Sequence, residues 1–257
     1  ALFIGGVGPG IITALGLCIV SYWISKKRGY KGNMPFSMKN VIATGKNAVY
    51  PLLMPVIILG GIYGGIFTPT EAAAVAVFYA VIVGFFFTRE LKLADLPSIL
   101  TGSAVTTAMV MLIIATASAF GRLLTLLELP AALVNFVVEN NVNAMMFLLI
   151  INIAMLIIGT FMELNATILI LAPILFPIAK TLGIDPVHLG IIMVVNMTFG
   201  LLTPPLGVHL FVSCGIAKIK FDVICREVYP FLLVAVSVIF IVSYFPQTAM
   251  WLVKLFY

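Results

Sequence analysis

The residues best suited to chemistry in this chain are oxygen donors set inside apolar sequence. From Asn196 it reads Asn-Met-Thr-Phe-Gly-Leu-Leu-Thr-Pro-Pro-Leu-Gly, ending at Gly207, within a run from Pro186 to Ala217 that holds no Lys, Arg, Asp or Glu. A second group, Glu163-Leu-Asn165-Ala-Thr167, directly follows another apolar run that contains Gly159 and Thr160. Amide, hydroxyl, carboxylate and main-chain carbonyl oxygens suit hard cations, and neither stretch offers a thiolate or an imidazole. Glu163 has two readings. It either marks the membrane surface or serves as a coupling acid at a hairpin tip, since ionisable groups within membrane segments are functional hypotheses by default.

The elements around these residues follow from proline. A helix cannot run straight through Thr203-Pro204-Pro205, because proline lacks the backbone donor and clashes with the preceding turn. Freed amides and carbonyls at bilayer depth are tolerated only where protein or a wet cavity satisfies them. Secondary transporters build ion and substrate sites from such interruptions. Half-helix ends carry partial charges of opposite sign on the two sides of the break. Gly200 to Thr203, with the Thr203 hydroxyl, are therefore expected to supply cation ligands near Asn165 and Thr167.

Other chemistries find little support. His188 and His209 are the only histidines, too few for a metal site, and both are expected to be satisfied polar groups. Cys18, Cys214 and Cys225 have no CxxC spacing and read as apolar filler. Glu71-Ala72-Ala73-Ala74 resembles the coupling loop of ATP-driven permeases, but the expected glycine does not follow, so the match reads as chance. A phosphate loop, HExxH or a Ser/His constellation is absent. Gly65-x-x-Thr68-Pro69 repeats the spacing of Gly200-x-x-Thr203-Pro204, either as an echo of a repeat or as two similar turns.

Composition sets the class. The chain is 63% hydrophobic and 9% charged, against roughly 45–50% and 25% in soluble domains. Lipid must be its solvent, and a multi-pass α-helical protein is expected; without alternating polar strands, an outer-membrane barrel is excluded. The net charge of +5 is not a nucleic-acid signal, because it gathers in one loop. Lys26, Lys27, Arg28, Lys31, Lys39 and Lys46 have no acidic residue among them, which places that loop in the cytoplasm.

Charge-free runs give the spans. Ala1–Ser25 is the first; Phe36 to Val49 suits an amphipathic interfacial helix. Asn47–Thr70 and Ala72–Thr88 follow, with Thr70 as expected N-cap ahead of Glu71. Leu96–Gly121 spans again, Leu127–Asn141 reads as a surface excursion, and Asn140–Met162 is another span. Leu164–Ala179 is short for a crossing and suits half of a re-entrant hairpin. The interrupted run comes next. A last span, Val228–Val253, ends at an interfacial anchor of Trp251, Lys254 and Tyr257. Small residues along Leu53–Gly65 and Ala72–Ala80 read as close helix packing. Starting at Ala1 inside an apolar run, the chain is expected to be part of a longer protein.

Four stretches, Gly64–Ala74, Leu169–Pro177, Leu182–Gly190 and Asn196–Gly207 continuing into Leu210-Phe-Val, together resemble the large membrane subunit of tripartite ATP-independent periplasmic (TRAP) transporters. The resemblance implies an inverted-repeat, elevator-type protein of the bacterial inner membrane. It also implies sodium-coupled uptake of an organic acid such as a C4-dicarboxylate or a sialic acid, with a weak lean to the latter. The implied partners are a periplasmic binding protein and a small membrane subunit. Only the tail of the first repeat and the whole second repeat are matched, so the first hairpin and its broken helix would precede Ala1.

On this footing residues 1–50 close the first repeat and form a basic arm, 51–140 are scaffold helices, 141–217 carry the transport hairpin and broken helix, and 218–257 form the final helix. The second hairpin falls on Gly159–Pro177 and the second broken helix on Asn196–Gly207. The sodium ligands are then assigned to Gly159, Asn165, Thr167, Gly200 and Thr203, and substrate contacts to Asn196, Thr198, Pro204 and Pro205. Relatives commonly carry acid-then-proline at the hairpin tip, where this chain has Glu163-Leu164-Asn165. A channel-like or structural membrane subunit is the rival reading; an intramembrane enzyme is disfavoured because no catalytic constellation is present.

Overall fold

A computed structural model describes residues 1–30 and 37–256, without the side chains of Lys46 and Asn47. Lys31, Phe36 and Tyr257, which figure in the expectations above, lie outside the described residues, as does the Lys46 side chain. Helices account for the regular structure, and no strand occurs among the described residues. Among the described residues five helices are long and apolar enough to cross a membrane, or six if a bent pair counts as one span. The polytopic all-α expectation holds.

The chain forms two compact units, Lys31–Met109 and the remainder, Ala1–Tyr30 with Val110–Tyr257. In the first, α3 (Met38–Tyr63) contains Pro51 and Pro55 and is bent by 56° between Met38–Gly45 and Ala48–Tyr63. It packs on α4 (Pro69–Ile82), where the Tyr79 hydroxyl donates to the Tyr50 carbonyl at 2.8 Å. The N-cap of α4 is Thr68, not Thr70. Thr68 Oγ1 accepts from the Glu71 amide, and the Glu71 carboxylate accepts from the Thr68 amide at 2.8 Å. Three-residue spacing is what a capping box needs, and Pro69 falls at the first helical position, where a missing N–H costs nothing. A π-helical turn, Val83–Phe87, and a 3₁₀ turn, Leu93–Asp95, lead into α5 (Leu96–Leu126), whose later half belongs to the second unit.

The second unit holds the main core. Its first helices are α1 (Leu2–Gly5) and α2 (Val7–Arg28), and after α5 come α6 (Leu129–Glu139), α7 (Ala144–Gly159), α8 (Leu164–Thr181) and α9 (Pro186–Gly200). Then follow α10 (Val208–Ala217), α11 (Phe221–Tyr244) and α12 (Gln247–Phe256). The centre is α9, with Leu189, Ile191, Ile192, Met193, Met197 and Phe199 all buried. Such a helix, apolar around most of its circumference, is expected to be largely buried, and here α1, α7, α8, α11 and α12 pack on it, leaving a stripe through Val194 and Thr198 exposed. Asp185 caps it, accepting from the amides of Val187 and His188.

Three expected elements change. The Leu127–Asn141 excursion takes helical form: Leu129–Glu139 is a mostly exposed helix that packs on α8 through Val137. Its polar flanks hid an apolar interior. Val228–Val253 is not one span, because α11 ends at Tyr244 and α12 restarts at Gln247. Pro246 pushes Phe245 out of helical geometry, to φ −118° and ψ 80°. The expected Asn140–Met162 span contracts to the 16 residues of α7, capped by Asn143, whereas α8 reaches 18 residues by taking Lys180 into its last turn.

Helix directions follow from a few contacts. Arg28 at the end of α2 pairs with Glu227 near the start of α11, and the Gly8 backbone meets Thr248 of α12 at the other end. The starts of α7 and α9 and the end of α8 line one cavity with the α11–α12 junction. Thus α7 and α8 form an antiparallel hairpin, while α7 and α9 run in the same direction.

Candidate functional site

The parallel course of α7 and α9 brings their C-termini together. A Cβ placed on Gly159 would stand 2.9 Å from the Gly200 Cα, and one on Gly200 would stand 2.8 Å from the Gly159 Cα. Only glycine at both positions permits this approach. The C-terminus of each helix carries about half a negative elementary charge on its last carbonyls. Two such ends in backbone contact inside the unit make the junction locally negative, with the Met197 thioether beside it.

The chain beyond each end is held by local hydrogen bonds. After α7, the Thr160 amide and hydroxyl both donate to the Ile157 carbonyl, and Phe161 and Met162 donate to that of Ile158. Beyond α9, the Leu202 amide donates to Phe199 and the Thr203 amide to Gly200 at 2.9 Å. The chain then passes a cis Pro204–Pro205 peptide and turns at Gly207, φ 54°, into α10. The broken helix expected between Asn196 and Gly207 is therefore present. Its two halves are tied by the His209 amide donating to the Leu201 carbonyl at 3.2 Å.

Side-chain oxygens near the two ends differ in role. Thr203 Oγ1 donates to the Phe199 carbonyl at 2.9 Å, and Thr167 Oγ1 to the Glu163 carbonyl at 2.9 Å. A hydroxyl that donates keeps acceptor lone pairs, so both oxygens stay competent to ligate a cation. Thr167 is 1% exposed. Glu163 is the N-cap of α8, accepting from the Ala166 amide at 2.9 Å and from the Asn165 amide nitrogen at 2.8 Å. Glu163 and Asn165 are exposed at the hairpin tip and tied to each other. Gly65-x-x-Thr68 does not share the local geometry of Gly200-x-x-Thr203: Thr68 caps a helix start, whereas Thr203 bonds back into a helix end.

The four residues assigned to substrate contact do not share one surface. Asn196 is wholly buried, whereas Thr198 is exposed and donates to the Val194 carbonyl. Pro204 is half-buried and Pro205 exposed. Asn196 belongs instead to a network. Its Nδ2 donates to Asn152 Oδ1 at 2.8 Å and to the Asn152 carbonyl at 3.2 Å, while Asn152 Nδ2 donates to Ser243 Oγ at 2.9 Å. Asn196 Oδ1 is buried without a partner. The Asn152 main-chain carbonyl favours this orientation, because flipping the amide would set its oxygen against that acceptor. Sequence reasoning missed Asn152 and Ser243, although Asn152 is the lone polar residue of α7 and Ser243 sits in the apolar second half of α11. Such residues seek one another across helix contacts.

His188 is buried, as expected of a satisfied polar group, with Nε2 2.8 Å from the Val242 carbonyl; His209 is exposed. The three cysteines are free. No three His, Cys, Asp or Glu residues gather among the described residues. The polar side-chain donors assigned near the helix ends, Asn165, Thr167 and Thr203, are oxygen ligands of the kind hard cations take, with the Met197 thioether the one sulfur beside the glycine contact.

A helical membrane protein whose interior helix breaks at a double proline beside a helical hairpin has the build of a membrane permease. Residues 1–248 match the family described as tripartite ATP-independent periplasmic transporter, DctM component. The chain belongs to that family, whose members are permeases rather than enzymes, and it is a multi-pass protein of the inner membrane. It is 45% identical over 97% of its length to the isethionate TRAP transporter permease protein DctMQ of Oleidesulfovibrio alaskensis, covering 39% of that protein. Against the C4-dicarboxylate TRAP transporter large permease protein DctM of Pseudomonas aeruginosa the identity is 45%, with 97% and 58% covered. The sialic acid TRAP transporter large permease protein SiaM of Vibrio cholerae is 40% identical, with 100% and 60% covered. The chain therefore spans between 39% and 60% of the length of these relatives.

Proposed function

We propose that this chain is part of a secondary permease that imports an organic acid together with sodium. A periplasmic binding protein hands over the acid, and a small membrane subunit completes the assembly. The observation that carries the reading is the convergence of the α7 and α9 C-termini at Gly159 and Gly200. A cation held there by main-chain oxygens, with Thr167, Thr203 and Asn165 at hand, would tie the hairpin to the broken helix.

The anion would sit against the break, where Thr198, Pro204 and Pro205 are reachable, with Asn196 holding the helix behind them. Glu163 serves this site as the cap that shapes the hairpin tip. Binding of either ligand raises affinity for the other, and the coupling is reciprocal by thermodynamic necessity. Three relatives named for isethionate, C4-dicarboxylate and sialic acid support a small organic anion as cargo, with sialic acid one candidate among several. The family description, tripartite and ATP-independent, supports two further components and an ion gradient as energy source.

The test is uptake by vesicles that contain the full-length permease, its small subunit and its binding protein, loaded with no nucleotide. Accumulation of an organic acid is expected when sodium is higher outside, and its loss when the gradient is collapsed. Undiminished uptake without the gradient would favour the rival channel-like reading, because a channel needs no second ligand for flux.

A further inference from the structure

At the end of the second unit where α7 and α9 begin, the helices part around a cavity of about 700 Å³. That size accommodates an organic ligand rather than an ion or a few waters. Its walls come from the α7 start, the α8–α9 turn, the α11–α12 break and α12. None of its residues belongs to the hairpin tip or the double-proline break.

Two opposite charges face this space. Asp185, at the start of α9, and Lys254, in the last turn of α12, both line it, yet they form no ion pair with each other. One Asp185 oxygen caps α9 through the Val187 and His188 amides, and the other carboxylate oxygen accepts no hydrogen bond among the described residues. Trp251 and Tyr244 share its lining, as do the buried Leu148 and Met250. The cavity also sits at a fixed depth. It adjoins the C-terminal end of α11, a 24-residue apolar helix whose other end carries Arg226 and Glu227. The end of such a helix meets the headgroup layer, where Trp, Tyr and Lys concentrate.

We propose that this cavity binds the headgroup of a zwitterionic phospholipid with a primary ammonium, phosphatidylethanolamine. Lys254 takes the phosphate, Asp185 takes the ammonium, and the apolar wall takes the upper acyl chain. The two charges are complementary to a headgroup that carries both signs on adjacent groups. An anionic lipid would satisfy Lys254 and leave Asp185 facing a like charge. The bound lipid would brace the α8–α9 turn against α12 across the break at Pro246.

The experiment is native mass spectrometry of the full-length protein in mild detergent, with equal dioleoyl-phosphatidylethanolamine and dioleoyl-phosphatidylglycerol added. Wild type is expected to retain the ethanolamine lipid over the glycerol lipid by about fivefold, the scale of one partly exposed charge pair. Asp185→Asn keeps an equally good helix cap and should abolish the preference without lowering retention of the glycerol lipid. Lys254→Gln, at an exposed position, should lower retention of both. Equal retention of the two lipids by wild type, or an unchanged preference in Asp185→Asn, would overturn the proposal. Glycerophosphoethanolamine without acyl chains should not be retained; if it binds as well as the lipid, the occupant is a soluble amine and the lipid assignment fails.

Discussion

At the residue scale, the account depends on two glycines that let two helix ends touch. Their partners are backbone atoms, which cannot rotate away as a side chain would. Gly159→Ala or Gly200→Ala must therefore push α7 and α9 apart, an overpacking that costs about 1–3 kcal/mol. Each variant should lower the thermal midpoint of the purified protein, and the double variant should lower it by less than the sum, since both act on one contact. A second residue-scale prediction concerns the buried amides. Ser243→Ala takes the acceptor from buried Asn152 Nδ2, at a cost of about 1–3 kcal/mol. Chemical or thermal denaturation should register that loss, while an equal change at exposed Ser237, whose hydroxyl bonds to its own helix at Leu233, should be nearly silent.

At the scale of elements, the α4 start is held by a reciprocal pair between Thr68 and Glu71. Thr68→Ala removes one half of it and should cost about 1 kcal/mol, read as a lower melting midpoint, whereas Thr70→Ala should cost less. Much of this level was legible in sequence, because two adjacent prolines stop a helix wherever they fall. The break between Gly200 and Val208 was expected on that ground alone. The break at Pro246 was not, since a single proline in an apolar run reads equally as a kink. Oxygen donors such as Asn165, Thr167 and Thr203 were visible by residue type. The meeting of Gly159 with Gly200 was not visible, because it depends on α7 and α9 running side by side in parallel. The Asn152–Asn196–Ser243 network is hidden for the same reason: its members belong to three helices.

At the scale of the whole molecule, the basic cluster from Lys26 to Arg28 sets a topology. It places the end of α2 in the cytoplasm and, by alternation of spans, the end of α12 outside. In a background without the three native cysteines, Phe256→Cys should react with an impermeant thiol reagent applied from the periplasm, and Tyr30→Cys should not; both positions are exposed. Reaction of Tyr30→Cys from that side would invert the arrangement.

The central claim is that oxygens of this hairpin and broken helix hold the coupling ion. The most direct measurement is the sodium dependence of organic-acid uptake by reconstituted wild type and Thr203→Val. Valine keeps the size of threonine but replaces the hydroxyl, which lies at the end of α9, with a methyl. The account predicts normal expression and a weaker apparent sodium affinity, by about 1–3 kcal/mol, which is roughly 5- to 150-fold. An unchanged sodium dependence in Thr203→Val, together with silent Thr167→Val and Asn165→Ala, would contradict it.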